Sequence, residues 1–324
     1  MAKWKNLTIL GKGSYATVYL ATITHPEEWS LKIVAVKRSR IFSFSIDSLA
    51  KEKRILESFI GCKEILQFYF DQFTIKRNNI RYNLFMEFAP YGSLGDLIKK
   101  RQLSESEVRI YTQMILKGLC SIHQKGVVHC DLKPDNILLF SSFEDGVRYQ
   151  LKIADFGLSK TREETNANFR KFKFKGTPIY MSPESVVGII ETPLDIWSLG
   201  CIVIEMITGF HVWRNIQTRK EIMLKLAFHH EAPEIPNELS WECKNFLSKC
   251  FVKDHKERWT AAMLLNHPFL YSKYKIREDY QNFPRERKFN NDSKEANKET
   301  PVCCGLLKSG AREYGDVGTN RHSN

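Results

Sequence analysis

The chain has 324 residues, of which 43% are apolar and 27% charged, and its formal net charge is +12. This composition is typical of a globular protein with two ordinary domains or one large two-lobed domain, and it excludes a chain that is disordered throughout. Because the lysines and arginines are spread along the sequence, we interpret the charge as a basic surface that attracts anionic ligands, and we expect no nucleic-acid binding.

Cysteine usage and the N-terminus bear on the cellular compartment. The eight cysteines include no C-x-x-C pair, so we expect no structural zinc site. The first residues lack the apolar segment of a signal peptide, and no run is long and apolar enough to span a membrane. We therefore expect a cytoplasmic protein with reduced thiols, and the sequence leaves a nuclear location open as well.

The first part of the chain has the patterns of β-strands. Between residues 7 and 37, VYLATI alternates and LKIVAVK is rich in β-branched residues, which predicts strands on both sides of the segment GKGSYATV. The apolar spacing becomes helical at about residues 47–59. Strand patterns return at residues 65–75 and 82–89.

A chain break and a long helix follow. Pro90 and Gly92 interrupt the strands, and the next long pattern is an amphipathic helix that begins after Ser104. Glu107 stands three residues after Ser104, which predicts a capping box, and Gly126 marks the helix end. Two short strands, ILLF and YQLKIAD, and several helices complete the predicted elements.

The order of the elements predicts an α+β fold with two lobes, the first rich in strands and the second mainly helical. From residue 273 the chain becomes polar and rich in Gly, Ser and Asn, which predicts a disordered tail. The predicted ranges are 1–88 for the N-terminal lobe, 87–92 for the hinge, 93–272 for the C-terminal lobe and 273–324 for the tail.

Four motifs occur in a fixed order. The glycines of GKGSYA, residues 11–16, let the backbone approach phosphates, although two glycines beside a strand also fit an ordinary turn. VAVK ends at Lys37, whose ammonium in a buried strand needs a partner. VVHCDLKPDN covers residues 127–136, and the triplet Asp155-Phe156-Gly157 follows the strand LKIA.

Together these motifs resemble those of eukaryotic protein kinases, and the resemblance covers about residues 4–270. SPE at residues 182–184 and DIWSLG at residues 195–200 extend it, and Arg258 matches the arginine that pairs with Glu184 in the activation segment. The resemblance implies the bilobal protein-kinase fold, with a small β-rich lobe carrying one helix and a large helical lobe.

The resemblance also implies the catalytic roles. Asp131 is expected to accept or orient the proton of the attacking hydroxyl, and Lys133 to neutralise the transferring phosphoryl group. Asn136 and Asp155 are expected to hold Mg²⁺. Lys37 is expected to bind the phosphates of ATP and to pair with a helix carboxylate. Glu52 is preferred for that carboxylate, and Glu57 is the alternative.

The ATP site implied by the resemblance lies between the lobes, against the hinge. Met86 is expected to be the gatekeeper, while Val18, Ala35 and Leu138 sandwich the adenine. The complete predicted ATP-binding set is Leu10, Gly11, Lys12, Gly13, Ser14, Tyr15, Val18, Ala35, Lys37, Met86, Glu87, Ala89 and Leu138.

Lys133 and the loop residue Thr177 resemble the Ser/Thr branch of the family. The stretches GTPIYMSPESV and DIWSLGCIVIEMITG are similar to mitogen-activated protein (MAP) kinase kinase kinases, especially the small plant MEKK-like members. This similarity implies a MAP kinase kinase as the protein substrate. Two alternatives stay open: a related Ste-like kinase with another protein substrate, and a nucleotide-binding scaffold that signals by contact. The oligomeric state also stays open.

Three positions depart from the usual kinase text: Ala16 replaces a glycine, Cys130 an arginine and Ser182 an alanine. None of these changes removes a group expected to touch phosphate or metal, so we expect an active enzyme. The missing arginine is the one that pairs with a phosphate on the activation loop in related kinases. We therefore hypothesise that activity depends little on loop phosphorylation.

Overall fold

The computed structural model describes residues 3–13, 15–24, 31–41, 43–76, 79–144, 146–167, 176–216, 218–229 and 231–271. The predicted ATP contact of Ser14 lies outside these residues. So do the predicted domain end at residue 272 and the predicted tail, which stay predictions. Among the described residues, no helix has the length and apolar composition needed to cross a membrane.

The strands of the N-terminal lobe form an antiparallel sheet with the order β1-β2-β3-β5-β4. Its register brings predicted site residues together, because Val18 pairs with Lys37 and Ala35 pairs with Met86. The strands are β1 (Lys3–Lys12), β2 (Ala16–Thr24), β3 (Leu31–Ser39), β4 (Phe68–Lys76) and β5 (Asn79–Met86).

The two faces of this sheet have different partners. On the outer face, Val34 and Val36 are buried beside Phe85, which stacks on Phe70 with ring centroids 4.3 Å apart. Lys37 lies between Val36 and Arg38 in β3, so the strand alternation turns its side chain to the opposite face. That inner face is the one that α1 (Ser43–Glu57) covers through the buried residue Leu49.

Several predicted element boundaries differ from the structure, among them those of α1 and β4. Helix α1 begins four residues before the predicted start at 47 and ends two before the predicted end at 59. The early start escaped prediction because Ser45 is fully buried there, whereas the pattern depended on apolar residues. Strand β4 begins at Phe68, three residues after the predicted start at 65, because the backbone N–H of Leu66 donates to the carbonyl of Ile153 in the other lobe.

The C-terminal lobe is mainly helical, as predicted. Helix α3 has the predicted capping box: Ser104 Oγ accepts from the Glu107 N–H, and the Glu107 carboxylate accepts from the Ser104 N–H. The described helices are α2 (Leu94–Lys100), α3 (Glu105–Gln124), α4 (Arg162–Ala167), α5 (Pro183–Val186), α6 (Pro193–Thr208), α7 (Arg219–Leu224), α8 (Trp241–Cys250) and α9 (Ala261–Leu265).

Helix α6 is the centre of this lobe. Trp197 on α6 is fully buried and meets Phe251 edge to face, with ring centroids 5.2 Å apart. Gly200 allows this close approach, because a Cβ there would lie 2.8 Å from atoms of Cys250 and Phe251. A small antiparallel sheet of β6 (Ile137–Ser141) and β7 (Tyr149–Ile153) lies beside the helices and carries the loops of the candidate site. The predicted two-lobed fold is therefore confirmed.

Candidate active site

Lys37 stands at the centre of a three-residue charge cluster. Its ammonium nitrogen lies 2.7 and 2.6 Å from the two carboxylate oxygens of Glu52 and 2.7 Å from Oδ1 of Asp155. The alternative partner Glu57 instead pairs with Lys53, one turn away on α1. The sequence placed Lys37 against a helix carboxylate, but its contact with Asp155 was not predicted.

Burial and charge set the protonation states in this cluster. Burial alone would lower the pKa of Lys37, but Asp155 and Glu52 outweigh it and raise the pKa above its ordinary value. The Lys37 ammonium in turn lowers the pKa of Asp155 to about 2. The Asp155 side chain is 48% exposed, so an ionised carboxylate faces the space between the lobes.

The backbone at Asp155 is held in an unusual conformation. Its φ is 64°, in the left-handed region that few residues other than glycine adopt, and Oδ1 accepts from the Gly157 N–H at 3.3 Å. Phe156 next to it is fully buried and stacks on Phe59, with ring centroids 6.0 Å apart. The packed phenylalanine therefore fixes the direction of the neighbouring carboxylate.

The carboxylate of Asp195 on α6 holds the backbone of the loop 127–136. One carboxylate oxygen accepts from the backbone N–H of His129 at 2.9 Å, and the other from that of Cys130 at 3.1 Å. These bonds hold Cys130 at φ 68°, a strained conformation of the kind that concentrates at functional sites. His129 is fully buried, and its ring bonds the carbonyl of Ala154, which agrees with a positioning role.

Asp131 is surrounded by polar groups that orient its carboxylate. Oδ1 accepts from the hydroxyl of Thr177 at 2.9 Å and from its backbone N–H at 3.1 Å. Oδ2 accepts from the ammonium of Lys133 at 2.7 Å, and that ammonium also lies 3.1 Å from the Thr177 hydroxyl. The loop 127–136, called the catalytic loop below, thus meets the activation segment where Asp131 and Lys133 contact the hydroxyl of Thr177.

Asn136 joins this group through its amide. Nδ2 donates to the backbone carbonyl of Asp131 at 2.9 Å, which leaves the amide oxygen for other partners. The backbone carbonyl of Asn136 accepts from the N–H of Ala154, the residue before Asp155, at 2.8 Å. The two predicted metal ligands therefore stand on adjacent backbone segments.

Most of the described residues predicted to bind the nucleotide lie on the N-terminal lobe and the hinge, and Leu138 lies on β6 of the C-terminal lobe. Met86 and Ala35 are buried, whereas Leu10 is 45% exposed at the end of β1. Gly13 donates its N–H to the Ala16 carbonyl at 2.8 Å, which forms a tight turn between β1 and β2. Gly11 has open space where a side chain would stand. The remaining predicted residues Lys12, Tyr15, Val18 and Leu138 are partly or fully exposed.

The hinge offers backbone rather than side-chain groups. The Glu87 carboxylate is already engaged, accepting from Lys152 at 2.7 and 2.8 Å and from the Gln67 N–H at 2.7 Å. Ala89 has no side-chain polar group, and its carbonyl accepts weakly from Gly92 at 3.4 Å. The Lys152–Glu87 pair ties β7 to the hinge and was not predicted, since 65 residues separate the partners.

Glu184 lies away from the charged groups of the site. It is buried and forms a two-armed ion pair with Arg258, with Nη2 and Oε2 3.0 Å apart. The guanidinium also donates to the carbonyls of Val252 and Pro193 and lies over the ring of Trp197. Glu184 therefore anchors the end of the activation segment to the C-terminal lobe and does not reach Asp131.

Comparison with known proteins decides the family. A model of the protein kinase domain matches residues 4–270. The chain belongs to the protein kinase family. The kinase is 39% identical to mitogen-activated protein kinase kinase kinase 20 of Arabidopsis thaliana, over 83% of this chain and 78% of that protein. It is 38% identical to mitogen-activated protein kinase kinase kinase 17 of the same plant, over 84% and 70% of the two chains.

A more distant relative supports the same group. Mitogen-activated protein kinase kinase kinase 4 of Mus musculus is 33% identical over 83% of this kinase and 16% of its own length. The predicted resemblance to plant MAP kinase kinase kinases is confirmed, as is the prediction of a protein Ser/Thr kinase of that class. Membership of the family also implies ATP as phosphoryl donor.

Proposed function

We propose that this kinase transfers the γ-phosphoryl group of Mg-ATP to Ser or Thr hydroxyls in the activation loop of a MAP kinase kinase. The observation that carries the proposal is the contact of Asp131 with the Thr177 hydroxyl at 2.9 Å, beside the ammonium of Lys133. A carboxylate that already accepts a threonine hydroxyl can accept the hydroxyl of a Ser or Thr substrate in the same way.

In this mechanism Asp131 orients the acceptor hydroxyl and takes its proton as the oxygen bonds to the γ-phosphorus, while the bond from that phosphorus to the β-phosphate oxygen breaks and ADP leaves. Lys133 stands on the other side of the carboxylate, where its ammonium balances the negative charge that develops on the phosphoryl oxygens. Thr177 holds both groups in place before substrate arrives. Preorganised charges of this kind cost little reorganisation during the reaction.

The metal ligands fit Mg²⁺. This ion prefers oxygen ligands and is usually held by one or two protein groups together with phosphates and water. Asp155 supplies a carboxylate whose pKa of about 2 keeps it ionised, and the Asn136 amide oxygen points away from the bonds of Nδ2. Bound Mg²⁺ supplies charge neutralisation for the phosphates. Asp155 and Asn136 would hold this ion, and Lys37 would add a second positive group for ATP.

The choice of substrate depends on the relatives. Both are named as MAP kinase kinase kinases, that is, as kinases of MAP kinase kinases. We propose the same substrate class here, since both Arabidopsis proteins align over at least 70% of their length. The related Ste-like kinase with another protein substrate is the remaining enzyme alternative.

A phosphorylation panel tests this proposal. Purified full-length kinase is incubated with Mg-ATP and a set of MAP kinase kinases carrying inactivating substitutions, and phosphorylated residues are mapped by mass spectrometry. We expect phosphate on Ser or Thr of the activation loop in at least one member, and none with the Asp131→Asn kinase. If a generic protein substrate is phosphorylated and every panel member stays unmodified, the substrate class is wrong although the kinase is active.

A further inference from the structure

The helix that carries Glu52 has a second attachment to the activation segment. Lys51, the residue before Glu52, directs its ammonium to the backbone carbonyl of Ser159 at 2.6 Å. The same ammonium lies 2.8 and 2.6 Å from the two carboxylate oxygens of Glu164 on α4. The contacts span more than a hundred residues of sequence, so no local pattern predicts them.

The Glu164 carboxylate also has other hydrogen-bonding and charged neighbours. Its Oε2 accepts from the backbone N–H of Thr161 at 3.0 Å, and Lys160 lies 3.9 Å from Oε1. Burial alone would raise the pKa of Glu164, but the bonds from Lys51 and Thr161 outweigh it and lower the pKa. The carboxylate is therefore ionised at neutral pH and faces two lysines.

The other end of the attachment is rigid. The hydroxyl of the fully buried Ser159 donates to the His129 carbonyl at 3.1 Å. The next residue, Lys160, exchanges two backbone hydrogen bonds of 2.8 Å with Val128. Lys51 therefore ties α1 to a segment that is itself bonded to the catalytic loop.

Adjacent residues on a helix point about 100° apart, so two contacts at neighbouring positions fix both the rotation and the approach of α1. Glu52 reaches Lys37 on one side, and Lys51 reaches Ser159 and Glu164 on the other. If α1 moved away, both sets of bonds would break together. The Lys51 contacts therefore favour the arrangement in which Glu52 meets Lys37.

The charges near Cys130 match the single carboxylate of Glu164. Lys51 and Lys160 both act electrostatically on the Cys130 thiol, so these two cations lie near the start of the catalytic loop. Glu164 supplies one negative charge to those two lysines. An arginine at position 130 would add a further cation, and a doubly charged phosphate would then be the better match.

We infer that Lys51 and Glu164 are positioning residues for phosphoryl transfer, which hold α1 on the activation segment and keep Glu52 at Lys37 without a loop phosphate. The inference rests on the role proposed above for the Lys37–Glu52 pair. It applies to a step that activation-loop phosphorylation controls in many kinases, namely the assembly of that pair.

The test measures single-turnover phosphoryl transfer to a generic Ser/Thr protein substrate by phosphatase-treated, full-length variants. Lys51→Met and Glu164→Gln are each expected to slow transfer about fivefold to tenfold, since a half-buried ion pair contributes roughly 1 kcal/mol. The double variant is expected to be no slower than either single one, because each removes the same interaction. Lys51→Arg, which keeps the charge and the donors, is expected to restore most of the rate.

A matched control lies on the same helix. Lys53 and Glu57 form an ion pair of 3.0 Å, Lys53 also lies 3.5 Å from Asp71 on β4, and neither Lys53 nor Glu57 contacts the described residues of the activation segment. Lys53→Met and Glu57→Gln should change the rate less than about twofold, as expected for an exposed pair. A purely structural role for Lys51 would lower the melting temperature without the slower transfer at saturating ATP and substrate.

Two results overturn the inference: wild-type rates in folded Lys51→Met and Glu164→Gln proteins, or a Lys51→Arg protein as slow as Lys51→Met. Glu164 is about one-third exposed, so Glu164→Gln carries the test if Lys51→Met does not fold. Glu52→Gln separates the two proposals. If Glu52→Gln is slow and the other variants are normal, only this inference fails, whereas a normal Glu52→Gln refutes the proposed role of the Lys37–Glu52 pair.

Discussion

Lys37 donates at once to Glu52 and Asp155, with its nitrogen 2.6 Å from Oε2 of Glu52 and 2.7 Å from Oδ1 of Asp155. One ammonium thus joins a strand, a helix and the loop after β7. Because the side chain of Lys37 is largely buried, losing either carboxylate would leave part of its charge uncompensated. The geometry of the cluster is therefore expected to depend on all three residues.

Replacing Lys37 or Asp155 should remove most of the activity. Lys37→Met removes the positive group proposed for the phosphates, and Asp155→Asn removes the ionised metal ligand, so each should lower kcat by about 10²-fold or more. Steady-state kinetics with a generic substrate measures this. Lys32→Met, on the exposed part of the same strand, is the control and should leave kcat unchanged. A folded Asp155→Asn protein with normal kcat would refute the metal assignment.

Thr177 should act through its hydroxyl. Thr177→Val keeps the shape but removes the bonds to Asp131 and Lys133, and hydrogen bonds to charged groups contribute about 1.5–3 kcal/mol each. We therefore expect kcat/KM to fall at least about tenfold. Thr177→Ser keeps the hydroxyl and should stay within a few fold of wild type. Equal activity of the Val and Ser variants would contradict the proposed orientation of Asp131.

The motifs allowed much of the site to be predicted, while the contacts between distant segments escaped prediction. The sequence preferred Glu52 over Glu57 for Lys37, and the structure places Glu52 there. It offered no sign of the Lys51–Glu164 or Lys152–Glu87 pairs, because neither lysine belongs to a motif that implies a partner on another element, as Lys37 does. Those pairs depend on how the elements pack.

The Cys130 thiol should be unreactive. Burial raises its pKa well above the ordinary value, Asp195 adds to the increase, and Lys160 and Lys51 oppose it only in part. Since the thiolate is the nucleophile, alkylation followed by mass spectrometry should leave Cys130 unmodified between about pH 7 and about pH 9. The partly exposed Cys62 is the internal comparison and should be alkylated before Cys130. Rapid native-state alkylation of Cys130 would contradict the described burial.

The Arg258–Glu184 pair should stabilise the fold rather than the chemistry. Arg258→Met leaves the buried Glu184 carboxylate without its partner, which costs about 3–5 kcal/mol of unfolding free energy. Lys225→Met breaks the exposed pair with Glu231 and should cost less than about 1 kcal/mol. Denaturant unfolding of the wild type and the two variants measures both losses of unfolding free energy. Equal stability of the Arg258→Met and Lys225→Met proteins would contradict the structural role.

Ser/Thr phosphorylation through Asp131 is tested most directly by the transfer of labelled γ-phosphate from Mg-ATP to a generic protein substrate, by wild-type kinase and by Asp131→Asn purified in parallel. We expect phosphoserine and phosphothreonine with the wild type. With Asp131→Asn we expect a rate lower by about 10²-fold or more and ATP binding that is retained. Phosphotyrosine as the main product would contradict the Ser/Thr specificity, and equal rates from the two proteins would contradict the role of Asp131.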